Sequence, residues 1–190
     1  MSLTDYLHLT KSLGHVALSQ FPFQALMAPA SYISPRPTSP SSLSVITSVP
    51  QASLTPYHRL FGRVILAPLF LGHAALYLSF FAQSAHPYYP SLLAKRIGDP
   101  DVQWGIGALS MVVSVLLFSR PLGRKGGGKL WTTGSVGTDR RVFYVVHVLL
   151  VAGFCTAAYS HVAQARVFVL QTLGGFVVNG VCSWMLLGSQ

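Results

Sequence analysis

The chain has 190 residues, of which 51% are hydrophobic and 9% charged, with 13 Lys and Arg against four Asp and no Glu. Soluble domains average about 25% charged residues, so this composition excludes an ordinary water-soluble domain and points to a membrane protein. The basic residues sit between apolar runs and do not line a polar surface, which argues against a nucleic-acid partner and for a role in setting membrane topology.

Residues 1–11 are polar and read as a lead-in; no basic segment followed by an apolar run opens the chain, so no cleaved signal peptide is expected. Residues 12–28 are long enough to span a bilayer, although Gln20, Pro22 and Gln24 interrupt them. Within them His15 has no partner at ligand spacing and reads as a polar residue of the bundle interior. Residues 29–56, rich in Ser and Pro, cannot build a core and read as a loop with a short apolar turn near Leu43–Val49. Residues 57–82 form the second helix, with Arg59 and Arg63 at its entry. An interfacial loop follows, in which His86 is solvated, and then a short third helix over 104–119.

Residues 120–139 form a basic, glycine-rich loop. Gly123–Lys129 nearly matches a phosphate-binding loop, but Leu130 stands where Ser or Thr is needed and a membrane helix precedes it, so no nucleotide site is expected. Helices over 141–161 and 167–187 complete the chain, and Gly174, Gly175 and Gly180 in the last one permit close approach of a neighbour. The expected fold is an all-α membrane bundle of about five transmembrane helices. Cys155 and Cys182 lie in apolar runs and read as reduced core residues.

Two of these helices carry paired histidines. His147 and His161 are fourteen residues apart, ~21 Å along a helix axis and about 40° apart around it. His58 and His73 form the second pair. A hydrocarbon core is ~30 Å thick, so the rings lie within or at the edges of a bilayer, where ionisable groups are costly and usually functional. Rings from two such helices can face each other in two layers, as a pair of stacked bis-histidine haems requires. The His58–His73 spacing is fifteen, which turns the second ring about 60° the opposite way in a regular helix. One wide turn absorbs an extra residue, and with Pro68 between the two histidines a π-bulge is expected at Ala67–Pro68.

Orientation follows from alternating helix direction. One side receives Arg36, Arg59, Arg63, Arg120, Arg124, Lys125, Lys129, Arg140 and Arg141; the other receives Lys11, Lys95, Arg96 and Arg166. The first side, with loop 120–139, is therefore expected to be cytoplasmic. His58 and His147 then lie toward the cytoplasm, and His73 and His161 toward the outside.

The stretches Pro56–Arg63 (PYHRLFGR), Gly72–Tyr77 (GHAALY), Leu93–Val102 (LAKRIGDPDV), Phe143–His147 and Tyr159–His161 resemble the membrane part of fungal ferric reductases, relatives of the NADPH oxidases. The resemblance implies a six-helix core, here lacking one N-terminal helix. It implies two haems b, an inner one on His58 and His147 and an outer one on His73 and His161. In that family electrons pass from NADPH through FAD to the haems and on to ferric or cupric chelates, or to oxygen. No flavin-binding barrel or dinucleotide-binding pattern occurs in this sequence, so FAD and NADPH are expected only on a missing or separate domain, a flavoprotein electron donor being one such partner. A plasma-membrane location is implied as well.

With two axial imidazoles, haem iron keeps no open position and suits outer-sphere electron transfer. Arg59, Arg63, Arg140 and Arg141 either pair with inner-haem propionates or anchor the positive side. Gly72 and Gly153 either leave room for a porphyrin edge or mark helix contacts, and Tyr77 and Tyr159 read as interfacial aromatics. The expected function is transmembrane electron transfer as part of an oxidoreductase for iron uptake. The alternatives are a histidine-bearing metal or proton transporter, weakened by the lack of an intramembrane carboxylate, and a haem-free remnant that keeps only the helices.

Overall fold

The computed structural model describes residues 3–29, 39–118 and 136–187, and these form helices joined by short connections, with no strand among them. In chain order the helices are α1 (Leu3–Met27), α2 (Ser42–Thr47), α3 (Gln51–Phe61), a π-helical segment (Gly62–Leu66), α4 (Ala67–Gln83), α5 (Leu92–Arg96), α6 (Pro100–Phe118), α7 (Val136–His161) and α8 (Ala165–Leu187). Four stretches are long and apolar enough to cross a membrane: Gln51–Gln83, Pro100–Phe118, Arg141–His161 and Ala165–Met185. The protein is an all-helical integral membrane bundle.

Helix α1 falls short of that apolarity, and its position explains why. It packs against α4, α8, α3 and α2, so polar groups such as Tyr6 and Gln24 meet protein partners and not lipid. The Tyr6 hydroxyl donates to the Leu76 carbonyl at 2.9 Å, and its ring stacks on Phe80. Thr10 and Gly14 are buried, and Ala17 is fully so. The stretch read as a lead-in is thus largely helix: α1 begins at Leu3, nine residues before Ser12.

The loop assigned to 29–56 also holds helix. Residues 30–38 lie outside the described residues, but α2 covers Ser42–Thr47 and α3 starts at Gln51. This segment is fastened from the opposite end of the chain. Asn179 of α8, 2% exposed, accepts from the Ser42 amide and hydroxyl and donates to the carbonyls of Ala25 and Ala28. Gln51 accepts from the Ser41 amide and donates to the Met27 carbonyl. Together these side chains cap the carbonyl end of α1, where Ala25 also accepts from the Ala28 amide and Met27 and Ala28 take side-chain donors.

Helices α6 and α7 run antiparallel in close contact, because small residues face each other: a Cβ on Gly107 would lie 3.9 Å from Ala157 Cβ. Helix α6 starts at Pro100, ahead of the expected 104, α7 at Val136 and α8 at Ala165. The near phosphate-binding stretch Gly123–Lys129 and the basic residues Arg36, Arg120, Arg124, Lys125 and Lys129 lie outside the described residues. The core between α1, α4, α7 and α8 is built on Leu18, Phe154, Cys155, Ala158, Ala165 and Val169. Cys155 is buried and Cys182 half-buried, both as free thiols.

Candidate functional site

The continuous helix Gln51–Gln83 changes pitch once. Over Gly62–Leu66 the turns widen, and the Ala67 N–H donates to the Gly62 carbonyl five residues back. The bulge expected at Ala67–Pro68 therefore lies just upstream of it, and the chemistry of proline accounts for the shift. Pro68 has no N–H to offer and its ring crowds the carbonyl four residues earlier, so the strain falls on the turn before it. Widening that turn accommodates the fifteenth residue between His58 and His73.

His58 on α3 and His147 on α7 face each other with ring centroids 6.4 Å apart and planes at 75°. An imidazole nitrogen lies about 2 Å from a metal it binds, which sets two rings sharing one ion about 6 Å apart between centroids. The observed gap is that wide. Each ring is supported: His147 stacks on Phe143 at 5.5 Å, and His58 Nδ1 donates to the Gln24 carbonyl at 3.0 Å. Gln24 reciprocates, its side-chain amide donating to the His58 carbonyl at 2.9 Å. His147 Nδ1 and Gln24 Oε1 are buried without a hydrogen-bond partner.

The other two histidines are held in the same manner. His73 Nδ1 donates to the Thr10 carbonyl at 2.7 Å, and His161 Nδ1 donates to the Asp101 carbonyl at 2.6 Å. His161 and His15 lie within electrostatic reach of His73. A carbonyl oxygen only accepts, so in His58, His73 and His161 the proton sits on Nδ1 and Nε2 keeps its lone pair. That is the tautomer of a metal-ligating imidazole oriented by a backbone acceptor. Among the described residues no three or more His, Cys, Asp or Glu gather at one point. What the fold offers is histidine in twos.

Between the layers stands an aromatic cluster. Phe154 lies seven residues from both His147 and His161, and its ring is 5.0 Å from each of Phe21 and Phe70. At the His73 end, Arg96 of α5 gathers the loop: its guanidinium donates to Asp99 at 2.7 Å, to Asp101 at 2.8 Å and to the Tyr77 hydroxyl at 3.3 Å. The Tyr77 hydroxyl foremost, with Asp101 and Asp99, holds the Arg96 guanidinium above its usual pKa.

The family model of the ferric reductase like transmembrane component matches residues 13–158. The chain belongs to that family. As a ferric-reductase-like transmembrane component it is a membrane-embedded redox protein, and three of its four paired histidines lie within the matched stretch, with His161 three residues beyond it. No curated protein and no solved structure matches the chain.

Other sequence expectations fall out variously. Arg59 and Arg63 are exposed at the His58 end, with Arg59 close enough to His58 for its charge to act on the ring. Arg140 belongs to α7, and Arg141 after it is exposed. His15 is exposed on α1 and not a residue of the bundle interior. His86 packs its ring against Tyr88 and Tyr89. Gly153 is a helix contact, since a Cβ there would meet Met111 Sδ at 3.2 Å. Gln24, Thr10, Asp101 and the phenylalanine cluster were not legible as site residues. The one trace is arithmetic: Thr10 and Gln24 are fourteen apart, like His147 and His161.

Proposed function

We propose that this ferric-reductase-like component carries electrons across the membrane through two bis-histidine haems b. His58 and His147 would hold the inner one, and His73 and His161 the outer one. The observation that carries the reading is the shared tautomer: His58, His73 and His161 each donate Nδ1–H to a backbone carbonyl and leave Nε2 free. The fit also follows from number. Two protein ligands per layer suit a group that brings its own equatorial donors, as a porphyrin does.

Such a haem, when bound, supplies one-electron chemistry at an iron with no open position. The residues of this chain do the rest. The carbonyls of Gln24, Thr10 and Asp101 orient the ligands and raise their basicity. Leu18, Phe21, Phe70 and Phe154 exclude water between the layers. Arg59 and Arg63 place positive charge beside the inner pair, where propionates would pair with them. A flavoprotein donor on the cytoplasmic side, with loop 120–139 facing it, and a ferric or cupric chelate outside complete the proposed path across the plasma membrane.

The test is the reduced-minus-oxidised visible spectrum of the purified chain, with its haem-to-protein ratio. Bands of haem b at two per chain are expected. A colourless preparation from cells supplied with ample haem overturns the reading.

A further inference from the structure

We infer that Gly14 and Gly105 are positioning residues for the outer pair, each uncovering a helix carbonyl so that His73 and His161 can be fixed by it; the inference rests on the two-layer haem reading above. In a helix the carbonyl of residue i accepts from the N–H of residue i+4. The Cβ of residue i+4 leans back toward the N-terminus, beside the second lone pair of that carbonyl. An imidazole that approaches over that Cβ position reaches the lone pair only where the Cβ is missing. A hydroxyl arriving from another side needs no such gap, as Tyr6 shows at the carbonyl of Leu76, four residues before Phe80.

The chain repeats this arrangement. His73 donates to the carbonyl of Thr10, and four residues on stands Gly14, where a Cβ would lie 3.1 Å from His73 Nδ1 and 3.2 Å from Cε1. His161 donates to the carbonyl of Asp101, and four residues on stands Gly105, where a Cβ would lie 2.8 Å from His161 Cε1 and 3.0 Å from Nδ1. A third case involves no imidazole: the Gln24 amide donates to the His58 carbonyl, and a Cβ on Gly62 would lie 2.9 Å from Gln24 Nε2. Where a glycine is not needed, there is none. His58 donates to Gln24, in the last turn of α1, where residue i+4 is Ala28, already beyond the helix. The glycines thus follow those acceptors whose donor lies over the Cβ position, at Thr10, Asp101 and His58.

A methyl group at either position would lift the ring from its carbonyl. The proton is then no longer fixed on Nδ1, and the imidazole becomes a weaker donor to ferric iron. The contact at Gly105 is the tighter, so Gly105→Ala is expected to act more strongly than Gly14→Ala. Gly107→Ala is the control: it stands two residues from Gly105 in the same helix, yet its Cβ would meet only Ala157 Cβ at 3.9 Å, an ordinary contact.

The experiment is a redox titration of the full chain in nanodiscs, paired with 15N NMR of histidine-labelled chain prepared without haem. In Gly105→Ala one of two midpoint potentials is expected to rise, a roughly tenfold weaker preference for the ferric form corresponding to about 59 mV for one electron. The other potential stays, and in the haem-free chain one histidine loses its Nδ1-protonated signature. Unchanged tautomer in Gly105→Ala overturns the inference, as does an equal shift in Gly107→Ala or a shift of both potentials. If Gly105→Ala fails to assemble, Gly14→Ala decides by the same readouts. A wild-type chain without haem overturns the haem reading alone, and the tautomer measurement still decides the role of the glycines.

Discussion

Gln24 and His58 hold each other twice, the imidazole donating to the Gln24 carbonyl at 3.0 Å and the Gln24 amide donating to the His58 carbonyl at 2.9 Å. The pair joins α1 to the start of the span that carries two of the four histidines. Replacing Gln24 with Leu removes the second bond and keeps the first. A loss of about 1 kcal/mol in stability is expected, the scale of an interhelical hydrogen bond in a membrane. Thermal melts in detergent check it, and haem content per chain should fall at the His58–His147 layer only.

Single replacement of His147 or His161 by Ala should each remove one haem and leave the other, while the double variant should be colourless. Pyridine haemochromogen assays against protein mass measure this. Retention of both haems in either single variant would mean that the α7 histidines are not ligands.

The fifteen-residue spacing gives a counter-intuitive expectation. Deleting exposed Val64 from the π-helical segment leaves His58 and His73 fourteen positions apart, the spacing of His147 and His161. A regular helix then brings both rings to one face, and both haems should remain. Inserting an Ala after Val64 adds about 100° of rotation and should cost one. In a regular helix with fifteen-residue spacing, the deletion and the insertion would each turn His73 by about 100° in opposite senses, and both should cost a haem. The ratio of haem to protein in the two variants therefore separates the cases.

Phe154 is 5% exposed and touches both Phe21 and Phe70. Phe154→Ala should destabilise the bundle by about 3–5 kcal/mol, and Phe154→Leu by much less, because the cavity is smaller. Melting temperatures of the two variants give the comparison.

Arg96 ties Asp101 down while the Asp101 carbonyl holds His161. These ion pairs are partly exposed, so Arg96→Ala should cost no more than about 1 kcal/mol of stability. Its effect should fall on the spectrum of the outer layer. Lys should restore it only in part, since an ammonium cannot reach Asp99, Asp101 and Tyr77 with one planar fork.

The four histidines, their grouping in two helices and the need for a wide turn were all legible from residue counts. The turn lies before Pro68 and not at it, because proline disturbs the carbonyls behind it. Helix α1 was read short, since Lys11, Gln20, Pro22 and Gln24 depress its apolar character; hydropathy treats such residues as exposed to lipid, whereas Gln24 meets His58. Backbone acceptors such as Thr10 and Asp101 leave no signature in residue type, because every residue carries a carbonyl. Only the glycine four places on betrays them.

The reach of Asn179 across to Ala25, Ala28 and Ser42 bears on how the protein is made. Helix α1 supplies the acceptors for His58 and His73, yet it is too polar to settle in lipid by its own partitioning. The strongest polar fastening of its end arrives only with α8, which is synthesised long after it. Capture of the proposed haems is therefore expected to wait for the insertion of α8, with α1 held at the bilayer surface until then.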